Sequence, residues 1–566
     1  MVFKINTLGI NFGSHDTSAC ILQNGEVIVA IEEEKMNREK RTEQFPINAI
    51  ISCLEIADLS LNDIDIVSLP IDLGAYLTRA HKILRLEDQS EVLDQINYLL
   101  DVVKEIILIP KKLNFSKINT KPKIVYFSHH LSHAASAYYS SGFSKSAVLV
   151  IDGVGELDTI SIYHAIQGKL KRKAFRTFPH SLGKLYSSVC RYLGFSGPTK
   201  EGKVMALASF GSPIYINEFS KMIILPKKGL PKVNQSYFNF GLTPLSPSKV
   251  SKKFIDVFGK LRRKNDPIGE RHKNIAASLQ KLYEKTLIRI VKEAQLLTNE
   301  NNICLAGGTM LNCIGNSRIR TSGIFDNIYI HPAPNDAGLS LGAAYLAYYE
   351  NITEFFPLKL DNVYLGPKYS EEDIMSAAPF YPIKWKRIEN PSKCAAKLIS
   401  DGIIVGWFTG RLEWGPRALG NRSILADPRY LNLKEKINLL IKHRENFRPF
   451  SPSVLVEKAY EIFGCDKESP YMIDAFDINP KWKTRIPAVL HIDSTSRIQT
   501  VSRKDNPKYY DLIAEFFKLT EVPLVLNTSL NIRGEPIVTT INDALNTFIK
   551  SKLTHIFIEN FLFHKE

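Results

Sequence analysis

Two stretches of this chain have the same order of predicted elements, and this repetition constrains the fold more than any other feature. The first, LGINFGSHDTSACILQNGEVIVAIEEE, predicts a strand, a glycine turn, a strand, an Asn-Gly hairpin and a strand. The second, AVLVIDGVGELDTISIYHAIQGKLKRKAF, begins about 140 residues later and has the same order. Asn24-Gly25 is the kind of dipeptide that two-residue hairpins favour. The two copies together predict a duplicated α/β core.

A core of this kind is similar to the fold of actin, Hsp70 and the sugar kinases, in which paired turns face one another and hold phosphates. Residues 73–113 are charged and helically periodic, which predicts an inserted helical layer, and residues 225–249 predict an irregular excursion. The sequence does not determine the role of these insertions, near 73–120 and 225–265. Around 352–365 the periodicity is lost. We therefore predict one domain at 1–355 and a second α/β domain at 360–566.

Composition excludes few classes of protein. No apolar run of the 566 residues reaches the roughly 20 residues that a membrane helix needs, and the first residues do not read as a signal peptide. The seven cysteines have no metal-ligand spacing, which favours reduced thiols and a cytoplasmic location. The net charge of +15 fits a nucleic-acid partner, an anionic substrate or a lysine-rich surface.

The segment HHLSHAAS contains three of the 13 histidines. On a helix, His129 and His133 share a face at i,i+4, although His130 with His133 at i,i+3 remains an alternative pair. Two imidazoles make a weak site, so carboxylates must come from other elements. Asp152, after the strand VLVID, and Asp336, before a helix, are the candidates. The competing interpretation is a helix face whose histidines are satisfied by hydrogen bonds.

Glycine turns aim backbone N–H groups at anions, and the chain has several. They predict a nucleotide or substrate contact, although plain hairpin turns remain the alternative. In the first turn, His15 beside Asp16 is either an acid–base group or a polar turn. The other residues of these turns that we assign to substrate or nucleotide binding are Gly153, Gly155, Gly307, Gly308 and Asn312.

The segment from 410 to 423, GRLEWGPRALGNRS, has three arginines among small residues and prolines. Arginine binds phosphate and carboxylate in bidentate fashion, so we predict an anion site for nucleotide phosphates. Polar residues at later strand ends add to it, where α/β sheets bind ligands. The residues assigned to this site are Arg417, Arg422, Lys442, Arg444, Arg448, Arg497, Asn527 and Ser529.

The motifs HHLSHAASAYYSSGF, VLVIDGVGE, AGGTMLNCIGN, EWGPRALGNRSILADPR, RENFRPFSPSVL, STSRIQTV and LNTSLNIRGEPIV occur in this order. Together they resemble the O-carbamoyltransferases of the nodulation-factor and antibiotic-tailoring type, over almost the whole chain. The resemblance implies a first domain like the metal-binding enzyme of tRNA threonylcarbamoyl transfer, of the actin and Hsp70 class. It implies a second domain like threonylcarbamoyl-adenylate synthase.

The resemblance also implies the chemistry. Carbamoyl phosphate and ATP, with Mg²⁺, would give carbamoyl-adenylate and pyrophosphate, and a hydroxyl of a small molecule or sugar would then take the carbamoyl group. The implied metal ligands are His129, His133, Asp152 and Asp336, for iron(II), manganese or zinc. The adenylate-forming site would include Arg417, Lys442, Arg497 and Ser529, and we assign catalysis to His15, Arg417 and Lys442.

Two other functions remain open from the sequence. One is a carbamoyl-type tRNA modification enzyme, which the basic charge would suit, although no RNA-binding module is recognisable and we expect no nucleic-acid partner. The other is a non-catalytic nucleotide-binding protein of the Hsp70 type, which would not need a second, arginine-rich domain. A homo-oligomer, the acceptor and the role of His130 are not determined by the sequence.

Overall fold

The computed structural model describes residues 4–83, 89–195, 197, 200–240, 249–445 and 447–565. The chain forms two compact units, the first made of Met1–Glu33 and Arg41–Leu360 and the second of Glu34–Lys40 and Asp361–Glu566. The short segment Glu34–Lys40 therefore groups with the second unit, although the sequence prediction placed it in the first domain. Parts of both predicted insertions, 84–88 and 241–248, lie outside the described residues.

The first unit contains fourteen described strands. They are β1 (Asn6–Asn11), β2 (Ser18–Gln23), β3 (Glu26–Glu32), β4 (Ile66–Leu69), β5 (Lys123–Tyr126), β6 (Lys145–Gly155), β7 (Asp158–Ile166), β8 (Lys169–Thr177), β9 (Ile223–Ile224), β10 (Lys232–Val233), β11 (Phe238–Asn239), β12 (Lys249–Val250), β13 (Asn302–Ala306) and β14 (Asn327–Ile330).

Twelve α-helices are described before the boundary at Leu360. They are α1 (Glu33–Asn37), which runs into the second unit, α2 (Ile47–Ile56), α3 (Leu73–Ile83), α4 (Gln89–Lys112), α5 (His129–Tyr139), α6 (Leu182–Tyr192), α7 (Glu201–Ala208), α8 (Ile216–Ser220), α9 (Lys252–Phe258), α10 (Glu270–Thr298), α11 (Cys313–Thr321) and α12 (Leu339–Tyr349). Helices α3 and α4 confirm the helical layer predicted for 73–113.

The two main sheets of the first unit have the same topology. One has the order β3-β2-β1-β4-β5 and the other the order β8-β7-β6-β13-β14. In each, the first three strands are antiparallel and the last two join in parallel. Each sheet is followed by a helix, α5 after β5 and α12 after β14. The duplicated core of the actin, Hsp70 and sugar-kinase class is thus confirmed in its strand order.

The equivalent helices α5 and α12 pack closely because small residues line their contact. A Cβ on Gly342 of α12 would lie 1.8 Å from the carbonyl oxygen of Ser132 on α5. Glycine at this position therefore allows the two backbones to approach one another. Since α5 and α12 begin at His129 and just after Asp336, their packing brings these two residues together.

The second unit is built on one eight-stranded mixed sheet of order β15-β24-β23-β16-β17-β22-β18-β21, with a separate β19–β20 pair. Its strands are β15 (Lys384–Arg387), β16 (Val405–Phe408), β17 (Arg422–Ala426), β18 (Ser451–Leu455), β19 (Ala475–Asp477), β20 (Thr495–Arg497), β21 (Gln499–Val501), β22 (Leu524–Ser529), β23 (His555–Ile558) and β24 (Phe561–His564). Its helices are α13 (Glu371–Ala377), α14 (Pro391–Ser400), α15 (Leu431–Lys436), α16 (Ala459–Phe463), α17 (Pro480–Lys483), α18 (Pro507–Thr520) and α19 (Ile541–Lys550).

Two local predictions for this unit need correction. The segment THIFIENFLF is a hairpin of β23 and β24 instead of one strand, because Glu559 takes a positive φ of 50° and turns the chain. The segment LKEKINLLIKHR forms the short α15 and then a π-helical turn, Ile437–Ile441, which ends immediately before Lys442. π-Turns of this kind occur often at functional sites.

Candidate functional site

Four predicted metal ligands converge in the first unit from three elements. His129 and His133 lie on α5, and Asp336 opens the 3-10 turn that leads into α12. Asp152 lies in β6, where the register with β7 shifts after Ile151. A bulge of this kind redirects a side chain from the regular alternation of a strand. The helical register decides between the two histidine pairs, because His130 points away to Ser161, with Nδ1 and Oγ 2.8 Å apart.

The distances within this group fit one small cation. One ligand atom from each of the four residues lies within 4.8 Å of the other three. His129 Nε2 is 3.5 Å from Asp152 Oδ2 and 3.7 Å from Asp336 Oδ1, and His133 Nε2 is 3.5 Å from Asp336 Oδ1. These separations are longer than hydrogen bonds and suit donors arranged around a shared centre.

The burial of the group also favours a cation. All four residues are buried, and the Nε2 atoms of His129 and His133 have no hydrogen-bond partner. Buried polar atoms are normally paired, so such nitrogens indicate a ligand. Burial alone would lower the pKa of His129, but Asp336 and Asp152 outweigh it and raise that pKa to about 9. Burial would raise the pKa of Asp152, but the imidazoles hold it well below its usual range.

Several predicted phosphate-binding residues instead support the ligands. Gly308 donates its N–H to Asp152 Oδ1 at 2.9 Å. Gly307 has a φ of +94°, and a Cβ there would lie 2.2 Å from the carbonyl oxygen of Ile151. A Cβ on Gly155 would lie 2.2 Å from the His129 ring, whereas one on Gly153 would meet nothing within 4 Å. Open space for a ligand thus exists at Gly153, while Gly155 and Gly307 are required by close packing.

Asn312 caps helix α11 and does not present a free side chain. Its Oδ1 accepts from the N–H of Gly315 at 3.0 Å, and its Nδ2 donates to Gln280 at 3.0 Å. We therefore correct the predicted role of Asn312 from a direct substrate contact to the support of the start of α11. On the first glycine turn, Ser14 donates its hydroxyl to the candidate ligand Asp336, with Oγ 2.9 Å from Oδ2.

His15 lies beside the four-residue group and is accessible to solvent. Its Nδ1 is 3.1 Å from Asp16 Oδ2 and 3.9 Å from Asp336 Oδ2, and its side chain is 39% exposed. Desolvation would lower the pKa of His15, but the hydrogen bond and charge of Asp16 raise it overall. Asp16 is fixed in turn by Asn335, which donates to Oδ2 at 2.9 Å. With Nδ1 directed at Asp16, Nε2 is the ring nitrogen left for a substrate proton.

The predicted anion site lies entirely in the second unit, and its cations crowd one another. Burial lowers the pKa of Arg444 to about 9, and the charges of Arg448 and Arg497 contribute. Burial also lowers the pKa of Arg448. The charge of Glu445 opposes this shift, whereas the charge of Arg497 adds to it. The guanidinium of Arg444 lies 4.5 Å from the Phe450 ring centre, and Arg497 Nε donates to Ser451 Oγ at 3.0 Å. Such repulsion among partly buried cations is relieved when an anion binds between them.

Lys442 lies beside this group and is held by backbone and side-chain oxygens. Its Nζ donates to Ser529 Oγ at 3.1 Å, to Asn531 Oδ1 at 2.6 Å and to the Asn531 carbonyl at 3.0 Å. It also donates to the carbonyl oxygen of Ser529. Burial, with the charges of Arg444 and others, holds the pKa of Lys442 well below its usual range. Ser529 and Lys442 therefore act as one bonded pair at the end of β22.

Two predicted anion ligands are interior residues. Arg422 is fully buried, and its Nη1 donates to the carbonyls of Thr409 and Asn421 at 2.7 and 2.9 Å. Asn527 is 2% exposed and donates to Ser453 Oγ at 3.0 Å. The guanidinium of Arg422 therefore supports the loop around Arg417, which corrects its predicted contact with phosphate. Asn527 Nδ2 bonds to the protein in the same way, while its Oδ1 has no hydrogen-bond partner, so a ligand contact of Asn527 stays a prediction.

The sequence did not predict three further residues near the arginines of the second unit, namely Glu413, Lys434 and His491. Glu413 Oε1 accepts the N–H groups of Leu419, Asn421 and Arg422, at 2.8, 2.8 and 3.1 Å. Burial lowers the pKa of Lys434, with Arg444 contributing, and that of His491 to about 4, with Arg497 contributing. Glu413 was visible as the one acid inside an arginine-rich loop. Lys434 and His491 gave no signal, because folding alone brings them near the cluster.

These units define a class: a duplicated sugar-kinase-like core with a buried His₂Asp₂ group, and an α/β unit with a partly buried cluster of cations. Residues 6–345 match the family model described as Carbamoyltransferase N-terminus, and residues 396–565 match Carbamoyltransferase C-terminus. The chain belongs to the carbamoyltransferase family.

The chain is also similar to individual known proteins. The chain is 36% identical to Nodulation protein NolNO of Sinorhizobium fredii, over 97% of this chain and 79% of that protein. It is also 36% identical to Uncharacterized protein sll1178 of Synechocystis, over 99% of this chain and 96% of that one. Among solved structures, a ROK hexokinase from Thermus thermophilus is 12% identical, with a TM-score of 0.29, over 62% of this chain and 99% of that one.

No helix within the described ranges has both the length and the apolar composition that a membrane crossing requires.

Proposed function

We propose that this carbamoyltransferase is an ATP-dependent O-carbamoyltransferase that works in two steps. The second unit would make carbamoyl-adenylate from carbamoyl phosphate and ATP, and the first unit would transfer the carbamoyl group to a hydroxyl of a small molecule or sugar. The observation behind the first step is the proximity of Arg444, Arg448 and Arg497, all partly buried, to the buried Lys442. A ligand with several negative charges would relieve the repulsion among these cations.

The first step brings two polyanionic substrates together. Water would hydrolyse carbamoyl phosphate to carbamate and inorganic phosphate, and a carbamate oxygen would then attack the α-phosphorus of ATP. A P–O bond to carbamate forms, the α–β anhydride bond breaks, and pyrophosphate leaves with the electron pair. Arg417, Lys442 and Arg497 are suited to neutralise the reactants and the charge that develops on pyrophosphate. Mg²⁺ would accompany ATP as its usual counter-ion.

In the second step the acceptor oxygen attacks the carbamoyl carbon, and AMP leaves from the tetrahedral intermediate. His15, through the ring nitrogen that does not face Asp16, would take the hydroxyl proton, because it is the exposed imidazole beside the four ligands. A divalent cation, when bound by His129, His133, Asp152 and Asp336, supplies positive charge to the adenylate phosphate and the carbonyl oxygen. Iron(II), manganese and zinc all suit two imidazoles and two carboxylates.

The decisive experiment is a pyrophosphate-release assay on the purified chain. We expect release that requires both ATP and carbamoyl phosphate and is unaffected by tRNA, and mass spectrometry should then find a carbamoyl group on a hydroxylated acceptor. Arg497→Met should abolish release, whereas Arg485→Met, which removes an exposed arginine that stacks on Trp482 in the same unit, should leave it unchanged. Release that needs no carbamoyl phosphate, or that needs tRNA, would contradict the proposal.

The role of His15 is tested by measuring pyrophosphate release and carbamoyl transfer separately. His15→Ala should leave pyrophosphate release intact and lower carbamoyl transfer to the acceptor, with AMP and free carbamate accumulating by hydrolysis. If transfer per pyrophosphate released were the same in His15→Ala and the wild type, the proton-accepting role of His15 would be excluded.

A further inference from the structure

A lysine from the start of the chain is buried in the second unit, and the chemistry described so far does not use it. Lys35 is 1% exposed. Its Nζ donates to the carbonyl oxygen of Glu413 at 2.6 Å and to that of Gly415 at 2.9 Å. A buried ammonium is costly unless it is hydrogen-bonded, and these two carbonyl groups supply the hydrogen bonds.

Lys35 holds the loop that contains Arg417. Both of its acceptors lie within the five residues that end at Arg417, and Gly415 has a φ of +99°. At the other end of the loop, the carboxylate of Glu413 accepts three backbone N–H groups within four residues, those of Leu419, Asn421 and Arg422. Arg417 thus lies between two points at which buried charged groups fix the backbone.

The same loop is attached to the strands of the cationic cluster. Asn527 Nδ2 on β22 donates to the carbonyl of Ala418 at 3.3 Å, and Gln499 Nε2 on β21 donates to that of Leu419 at 2.8 Å. β22 ends at Ser529, and Gln499 is two residues after Arg497. The backbone beside Arg417 is therefore fixed to β22, which ends at the Lys442 partner Ser529, and to β21 at a residue two positions after Arg497.

The segment Glu34–Lys40 is itself anchored elsewhere in the second unit. Thr539 Oγ1 donates to the carbonyl oxygen of Lys35 at 2.6 Å. Arg38 donates to the carbonyls of Ile537 and Pro536 at 2.6 and 3.1 Å and forms an ion pair with Asp543 at 3.4 Å. Arg38 fixes the segment without touching the Arg417 loop, which makes it a matched control for Lys35.

We propose that Lys35 is a positioning residue for Arg417: its ammonium fixes the backbone of the loop so that the guanidinium meets the nucleotide phosphates already in place. The second unit would then be incomplete without a segment from the first forty residues. The effect of Lys35 on the reaction rate rests on the proposed adenylate chemistry. Its effect on the order of the Arg417 loop can be measured without any reaction. Preorganised charge is effective because it does not reorganise during the reaction.

The kinetic test compares Lys35→Met with Arg417→Met, the double variant and Arg38→Met, all in the full chain. We expect Lys35→Met to lower kcat for pyrophosphate release by about ten-fold or more, with KM for ATP changed less than about three-fold. The double variant should be no slower than Arg417→Met, because residues that act through one another are not additive. Arg38→Met should keep kcat within about two-fold even if it lowers the thermal midpoint.

The structural test is amide hydrogen exchange of the peptide that includes Leu419, Asn421 and Arg422. We expect faster exchange there in Lys35→Met and no change there in Arg38→Met. Exchange equal to that of the wild type, or rate losses that add in the double variant, would overturn the positioning role. If the wild type releases no pyrophosphate from ATP and carbamoyl phosphate, the proposed function fails, and the exchange comparison still decides the role of Lys35.

Discussion

Gly155 lies directly against the imidazole of His129: a Cβ on the glycine would stand 2.2 Å from Cδ2 of the ring. The sequence suggested that this glycine binds an anion, but its neighbour in space is a candidate metal ligand. The backbone conformation of Gly155 is not left-handed, so the requirement for glycine is the space that the ring occupies.

Replacing Gly155 with alanine should therefore displace His129 and remove the metal. We expect the Gly155→Ala protein to fold but to hold much less metal than the wild type, as measured by inductively coupled plasma mass spectrometry. Gly153→Ala is the matched control, because a Cβ there meets nothing within 4 Å, and it should retain its metal. Equal metal content in the two variants would contradict this account of Gly155.

The pairing of the histidines can be tested in the same way. We expect a chelator to lower the thermal midpoint of the wild type, since a metal bound to the native state alone stabilises it. His133→Ala should hold less metal than the wild type, and a chelator should not change its thermal midpoint. His130→Asn should keep the metal, because His130 faces Ser161 instead of the two carboxylates. If His130→Asn lost metal as completely as His133→Ala, the alternative pair of ligands, His130 with His133, would be favoured instead.

The crowded cations of the second unit predict strong binding of pyrophosphate, the product of the first step. Arg448→Met should weaken that binding by about ten-fold or more, because a charge-assisted hydrogen bond contributes about 1.5–3 kcal/mol. Isothermal titration calorimetry would measure the affinity, and the metal content of the first unit should not change. Arg485→Met is the control and should bind pyrophosphate like the wild type. If Arg448→Met bound pyrophosphate as tightly as Arg485→Met, Arg448 would not be part of the site.

His331 predicts a loss of stability in mild acid. It is fully buried, and burial together with the charge of His133 lowers its pKa to about 4. The hydrogen bond to the backbone of Ala333 opposes this shift but does not cancel it. Between about pH 6.5 and 4 the unfolded chain binds a proton that the folded chain does not, so stability falls as the pH falls through this window. The slope from one such group is at most about 1.4 kcal/mol per pH unit.

His331→Gln should flatten the dependence of the urea unfolding midpoint on pH between about 4.5 and 6.5. His443→Gln, which removes an exposed histidine, controls for the loss of any imidazole and should keep the slope of the wild type. An unchanged slope in His331→Gln would show that the acid sensitivity comes from other groups.

Hairpin dipeptides, glycine turns and apolar strands are local signals, and they were enough to predict the duplicated core because each copy encodes the same three strands. The i,i+4 spacing of His129 and His133 was equally local, since one helix fixes their relative position. The positions of Asp152 and Asp336 followed from no local rule. A bulge in β6 and the close approach of α12 to α5 at Gly342 bring the two carboxylates to the histidines.

The sequence by itself determined the duplicated core, the family and the candidate residues of both sites. Only the tertiary structure decided which charged groups remain for a ligand and which support the protein. Arg422 and Arg497 look alike in the sequence, yet Arg422 is fully buried and bonds to backbone carbonyls, while Arg497 contributes charge to the cluster. Lys35 joins a loop nearly 380 residues away. Burial and hydrogen bonding over such separations depend on the whole fold, so no local pattern reports them.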